Sequence, residues 1–152
     1  PMKRLNNPET EAKYAPLRLQ NQLCFPLYAA SREVVRRYRP FLEALNLTYT
    51  QYITMMVVWE TETISVKELG QRLFLDSGTL TPVLKSLEAK GYVNRHRSSE
   101  DERVLLVELT QAGAALQDRA LAVPGQIAGC VQLDPDEAME LYRLLYKLLG
   151  GM

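Results

Sequence analysis

Two cysteines, a single histidine and no excess of either charge leave this sequence of 152 residues with few obvious sites. Cys24, Cys130 and His96 lie far apart and are too few for a four-ligand zinc site, so no metal is expected, and no cofactor is implied. Lys+Arg and Asp+Glu stand at 18 each. The chain therefore lacks the basic surplus that marks many nucleic-acid binders. Between Lys67 and Arg103 seven basic residues meet six acidic ones, so any DNA footprint must come from placement. No apolar run approaches the ~20 residues that cross a bilayer. The polar N-terminal stretch, broken by Pro8 and Pro16, has no signal-peptide core. A cytoplasmic protein with no membrane partner is expected. That compartment disfavours a permanent disulfide, which leaves the two cysteines as inert thiols packed like small hydrophobes or as redox-active ones. Internal repeats and low-complexity tracts are absent too.

What is present is helical periodicity interrupted once by strands. Residues 1–16 read as a polar arm. Leu19, Leu23, Leu27, Ala30 and Val34 recur at steps of three and four, which predicts a helix from Leu19; Pro26 inside it should free the Gln22 carbonyl and bend the helix beside Cys24. Arg39-Pro40 predicts a break. Thr48-Tyr49-Thr50-Gln51 is a capping box opening a helix that carries Ile53, Met56, Val57 and Trp59. Ile64 reads as a very short strand. Ser65 to Glu68 is a second capping box, before a short helix through Leu69 and Leu73. A further helix follows Asp76, with Leu80, Val83, Leu84 and Leu87 as its buried stripe and Gly91 as its stop.

The period then changes. Tyr92–Arg97 and Val104–Leu109 read as two strands joined by the polar loop 98–102. Thr110 caps a long helix through Leu116 and Ile127, interrupted near Pro124-Gly125. Asp134-Pro135-Asp136-Glu137 starts the last helix, which carries Leu141, Leu144, Leu145 and Leu148. Two short helices before a hairpin form a winged helix-turn-helix. The expected fold is mainly α with a small β-hairpin. It comprises an arm (1–16), helical dimerisation segments (17–47 and 110–152) and a winged helix-turn-helix DNA-binding region (48–109). The terminal amphipathic helices have little of their own chain to pack on, so a homodimer is expected.

Asp101-Glu102-Arg103 followed by Leu109-Thr110 and Gly113 resembles the wing signature of MarR-type regulators. The stretch from Leu75 to Leu84, with Leu87 and Gly91-Tyr92-Val93 after it, resembles their recognition helix. Gln22-Leu23-Cys24-Phe25-Pro26-Leu27-Tyr28-Ala29-Ala30-Ser31 is similar to the first helix of the OhrR branch, the organic-hydroperoxide sensors. The resemblance runs from about Leu19 to the C-terminus. It implies a transcriptional repressor rather than an enzyme, with double-stranded operator DNA as partner and an organic hydroperoxide as inducer.

The helix face opposite the leucine stripe shows Ser77, Thr79, Thr81, Pro82, Lys85 and Ser86. Small hydroxyls and one lysine suit a helix pressed into the major groove, where they reach base edges, phosphates and thymine methyls. The resemblance implies that Asp101 braces Arg103 for the minor groove, which favours a guanidinium. Arg95 and Arg97 are expected at phosphates; His96 reads equally as solvent-facing. A two-fold dimer implies an inverted-repeat operator with half-sites about one helical turn apart.

A thiol meets peroxide as its thiolate, yet no histidine and little lysine lies near Cys24 in sequence. The OhrR resemblance assigns Cys24 as the redox-sensing thiol. It assigns the hydroxyls of Tyr38 and Tyr49 from the partner subunit as its activators, through hydrogen bonds that favour the thiolate. Tyr28, one turn after Cys24, is expected to move on oxidation. Leu23, Phe25, Leu27 and Met55 or Met56 could form an apolar mouth for the peroxide's alkyl part. Two-cysteine members of that branch have a resolving thiol in the region of Cys130, which implies a bond from Cys24 to Cys130 of the partner subunit. The nearest alternative is a MarR-type repressor released by a small aromatic ligand, with incidental cysteines. A thiol peroxidase, or a winged helix used for protein contacts, leaves the hydroxyl-rich helix and Arg103 without purpose.

Overall fold

The computed structural model describes residues 8–150; the first seven residues of the expected arm lie outside the described residues. The remainder of that arm is helical. Helix α1 (Pro8–Tyr14) has proline at its first position, acids in its first turn and Lys13 in its last, matching the helix dipole at both ends. Two 3-10 turns follow, Ala15–Leu17 and Leu19–Asn21.

Helix α2 (Cys24–Glu43) opens at Cys24, five residues later than the apolar stripe predicts. Gln22 is extended (φ −100°, ψ 112°) and divides the stripe. Pro26 is consequently the third residue of α2. There its missing N–H costs no intrahelical bond, so the predicted bend has no cause. The break predicted at Arg39-Pro40 is also absent, since α2 runs through Pro40 to Glu43. Pro40 has no N–H to offer the Arg36 carbonyl, and Arg36 is exposed.

The chain divides into two compact units, the first ending at Arg37 and the second beginning at Tyr38; the division falls inside the 17–47 segment. In the first unit Leu23, Phe25, Leu27 and Val34 are all exposed.

The second unit holds helices α3 (Tyr49–Thr61), α4 (Val66–Leu73), α5 (Ser77–Ala89), α6 (Gln111–Ala120), α7 (Val123–Ala128) and α8 (Pro135–Gly150), and strands β1 (Thr63–Ser65), β2 (Val93–Arg97) and β3 (Leu105–Leu109). Both capping boxes form: Thr48 with Gln51, and Ser65 with Glu68. The sheet is antiparallel in the order β1-β3-β2, with Ile64 opposite Val107 and Arg95 opposite Val107 on the other side. Gly91, at φ +77°, ends α5 in the left-handed conformation.

Leu80, Leu84 and Leu87 of α5 enter a core with Met55, Val58 and Leu69. The inward face of α3 is thus Met55 and Val58, one position away from the expected Met56 and Val57. Met56 is 44% exposed. Trp59 Nε1 donates to the Gly113 carbonyl at 2.9 Å and ties α3 to α6. A Cβ at Gly113 would stand 2.1 Å from the Tyr92 carbonyl oxygen, so only glycine fits that crossing. The interruption expected near Pro124-Gly125 falls slightly earlier, at Leu121-Ala122, with Pro124 in the first turn of α7. Asp134 caps α8 in a reciprocal pair with Glu137, but α8 buries none of its described residues. Among the described residues no helix is long and apolar enough to cross a membrane.

Candidate functional site

The recognition helix starts at a rigid cap. Asp76 Oδ1 accepts from the Thr79 N–H at 2.8 Å, and the Thr79 hydroxyl donates to Oδ2 at 3.2 Å. The Thr79 backbone bond, followed by the hydroxyl, holds the Asp76 carboxyl below its usual range, so this cap is charged at neutral pH. Thr81 Oγ1 donates back to the Ser77 carbonyl at 2.7 Å. With those protons committed, both hydroxyls are left with acceptor capacity. Ser77, Thr79, Thr81, Pro82 and Lys85 are exposed together. Ser86 is not with them: its hydroxyl accepts from Gln51 Nε2 at 2.9 Å and faces helix α3.

The wing also presents an exposed cation, Arg103. Arg103 Nε and its backbone N–H each lie 3.0 Å from Asp101 Oδ1, and Nη2 lies 2.9 Å from Oδ2. The Arg103 side chain is nevertheless 90% exposed. This fork lowers the Asp101 carboxyl, chiefly through the Arg103 side chain. Arg103 shares a concave surface with Ser65, Gln71, Ser77 and Thr81, so the wing arginine and the start of α5 border one hollow.

Arg95 and Arg97 are placed differently from each other. Arg95 is clasped by Glu88 of α5, with Nη2 2.7 Å from Oε2 and its backbone N–H 3.0 Å from Oε1, and its side chain is 19% exposed. It fastens the wing to the recognition helix from within. Arg97 is exposed and donates to the Arg103 carbonyl at 3.3 Å. His96 pairs with Glu108 across the hairpin at 3.2 Å.

Cys24, exposed, is the first residue of α2. There the first-turn N–H groups lack intrahelical partners, a feature that the expected mid-helix position hid. Tyr28 is 58% exposed, and its hydroxyl accepts from Arg32 Nη1 at 3.2 Å. In the second unit the Tyr38 and Tyr49 rings pack at a tilt of 57° with centroids 4.9 Å apart, and Tyr52 lies 6.0 Å from Tyr38. Burial pushes all three phenols up, and the neighbouring phenols add to it for Tyr38. They remain protonated donors at neutral pH. Cys130 is half-buried in the turn after α7, its thiol 3.5 Å from the Gln126 carbonyl. Met55 is fully buried and lines no mouth. Among the described residues no cluster of His, Cys, Asp or Glu is arranged to hold a metal.

Sequence reasoning missed Gln51 and Glu88 as contributors. Gln51 was legible as half of a capping box; that it also reaches across to α5 was not. Glu88 looked like a solvated charge, and only the hairpin register brings Arg95 to it.

A helix capped for an exposed hydroxyl face, beside a hairpin that presents a braced arginine, defines a winged helix-turn-helix DNA-binding regulator. Residues 36–119 match the family model described as transcriptional regulator SarA/Rot. The chain is 48% identical, over 91% of its length and 95% of the relative's, to the organic hydroperoxide resistance transcriptional regulator of Bacillus subtilis (strain 168). Among solved structures it is similar to AbfR of Staphylococcus epidermidis. With reduced AbfR bound to DNA the identity is 35% and the TM-score 0.74, over 93% of this chain and 98% of that one. With disulfide-formed AbfR they are 36% and 0.62, over 92% and 98%. The chain belongs to the MarR/SarA family of DNA-binding transcriptional regulators. Its relatives in these comparisons are regulators, not enzymes.

Proposed function

We propose that this chain is a homodimeric redox-sensing repressor of the two-cysteine OhrR type. Reduced, it binds an inverted-repeat operator; an organic hydroperoxide that oxidises Cys24 releases it. The observation that carries the reading is an exposed cysteine opening helix α2 in a winged-helix chain this similar to an organic hydroperoxide resistance regulator. The exposed Leu141, Leu144 and Leu148 of α8 supply apolar surface for a second copy. Ser77, Thr79, Thr81, Pro82 and Lys85 enter the major groove, Arg103 the minor groove, and Arg97 lies at the phosphates.

The chemistry runs in two steps. The Cys24 thiolate attacks the terminal oxygen of the hydroperoxide; the S–O bond forms as the O–O bond breaks, and the alkoxide takes a proton and leaves as the alcohol. The thiol of Cys130 of the partner subunit then attacks the sulfenic sulfur, forming a disulfide and expelling water. The hydroxyls of Tyr38 and Tyr49 of the partner subunit, kept protonated by burial, donate to the thiolate before the first step. Sulfenic acid is a poorer acceptor, so those bonds change with the sulfur.

The test is operator binding with and without cumene hydroperoxide. The native protein should release DNA stoichiometrically with peroxide and rebind after dithiothreitol, while Cys24→Ser stays bound. A Cys24→Ser protein that releases like the native one overturns the proposal and favours a small-molecule inducer.

A further inference from the structure

One buried side chain joins the tyrosine pair to the recognition helix. Gln51 is 6% exposed, and both ends of its carboxamide are engaged. Oε1 accepts from the Thr48 N–H at 3.1 Å and from Lys90 Nζ at 2.9 Å, while Nε2 donates to Ser86 Oγ at 2.9 Å. Ser86 lies in the last turns of α5, and Lys90 directly follows that helix. Lys90 Nζ donates also to the carbonyl of Asn46, a residue held at φ +54° in the turn between α2 and α3. Tyr49, whose ring packs tilted against that of Tyr38, is the first residue of α3, next to the cap that Gln51 completes. The first turn of α3, the α2–α3 turn and the C-terminal end of α5 thus share one polar network.

Leu45, Leu47, Tyr52 and Leu87 belong to the apolar core of this unit, and non-directional apolar contacts tolerate small changes of angle. Hydrogen bonds to a buried amide do not: each has a narrow geometry, and a bond broken away from water is costly unless another replaces it. A shift of Tyr49 that moves the first turn of α3 therefore pulls α5 with it. From this geometry we infer that Gln51 is a positioning residue that transmits the state of the tyrosine pair to the recognition helix through Ser86 and Lys90. The inference rests on the peroxide-sensing reading above.

Three variants separate transmission from mere stability. Gln51→Met removes all three bonds at nearly constant volume. Gln51→Glu keeps the acceptor toward Thr48 and Lys90 and can accept from the Ser86 hydroxyl. Thr48→Ala removes the threonine hydroxyl from the cap and leaves the bonds to α5. Each is titrated, reduced and after cumene hydroperoxide, against a duplex selected from random sequence by the reduced native protein. Oxidation of Cys24 is followed by iodoacetamide blocking and intact mass. In Gln51→Met, Cys24 should oxidise at the native rate and the reduced protein should keep its DNA. The ratio of oxidised to reduced dissociation constants should fall by about tenfold or more. Gln51→Glu should restore the native ratio, and Thr48→Ala should lower thermal stability without lowering the ratio. If Gln51→Met does not fold, Lys90→Met tests the same path with the cap and the Ser86 bond in place, and should lower the ratio. A native ratio in a folded Gln51→Met, or in Lys90→Met where that variant replaces it, overturns the inference. So does an equal loss in Thr48→Ala. A native protein that keeps its DNA after complete oxidation of Cys24 overturns the sensing reading itself, and the coupling with it.

Discussion

Removing Asp101 tests the wing without touching the group proposed to meet DNA. In the free chain three donors of Arg103 are held on one carboxylate, yet the guanidinium side chain is 90% exposed. A pair this open contributes little to folding, so Asp101→Ala should leave the thermal midpoint unchanged. Its contribution is orientation: an arginine already held in one rotamer gives up less freedom when it enters a groove. Immobilising one such side chain weakens binding by about two- to tenfold, which is the expected effect of Asp101→Ala. Arg103→Ala removes the contact as well and should weaken binding by about 5- to 150-fold, with the salt slope reduced by about one. Asp101→Ala also deletes a negative charge beside the phosphates, which acts in the opposite direction. A double-mutant cycle separates the two effects. In an Arg103→Ala background, Asp101→Ala should be neutral or slightly tightening. Fluorescence anisotropy on an operator duplex over a range of salt concentrations supplies all four affinities. Equal weakening by Asp101→Ala with and without Arg103, or native affinity in Arg103→Ala, would refute the reasoning. The Arg103 bonds lower the Asp101 carboxyl. The brace is therefore complete above the usual carboxylate range and is lost only as pH falls through that lowered value. Its contribution to affinity should therefore not vary with pH across the neutral range.

Further outcomes follow from the thiol and the core. Tyr38→Phe and Tyr49→Phe each delete one hydroxyl at almost constant volume. Both should slow oxidation of Cys24 by cumene hydroperoxide while the reduced protein still binds DNA; native rates in the double variant would exclude the phenols as activators. A small dose of the same peroxide should give a covalent dimer on a non-reducing gel, reversed by dithiothreitol and missing in Cys130→Ser. A native chain that stays monomeric on that gel while releasing its DNA would make Cys130 structural. Gly113→Ala forces a methyl onto the Tyr92 carbonyl and should cost about 1–3 kcal/mol in urea unfolding; an unchanged midpoint would show that the α6 start yields freely.

The fold was most legible where local chemistry decides local structure. Thr48 with Gln51, Ser65 with Glu68 and Asp134 with Glu137 are reciprocal caps whose partners stand three residues apart, and all three form. Gly91 and the change from helical to alternating period marked the hairpin. The errors lie where one pattern permits two structures. Leucines at steps of three and four fit 3-10 turns as well as an α-helix, so the stripe from Leu19 hid the later start at Cys24. A proline reads as a bend in mid-helix and as a good fit in a first turn, and only the helix start distinguishes the two at Pro26. Helix α3 is apolar nearly all round, so its sequence does not choose between Met55 and Met56. At the site, the exposure of Ser77, Thr79, Thr81, Pro82 and Lys85 agrees with the amphipathic reading. Ser86 departs from it, and Arg95 from its expected place at the phosphates, because Gln51 and Glu88, 35 and 7 residues away, reach them only after packing.

The clasping of Arg95 by Glu88 and of Arg103 by Asp101 bears on how such a chain finds one address among many. Attraction to arbitrary duplex grows with the number of phosphates a protein can neutralise and is blind to sequence. Cations already matched by acids in the free chain, on a molecule whose charges sum to zero, weaken that attraction everywhere at once. A genome offers about a million to a billion competing positions, and each holds such a chain more briefly than it would hold a basic one. Occupancy of the true site is thereby raised without any tightening of the specific complex: selectivity is gained by reluctance toward every other sequence.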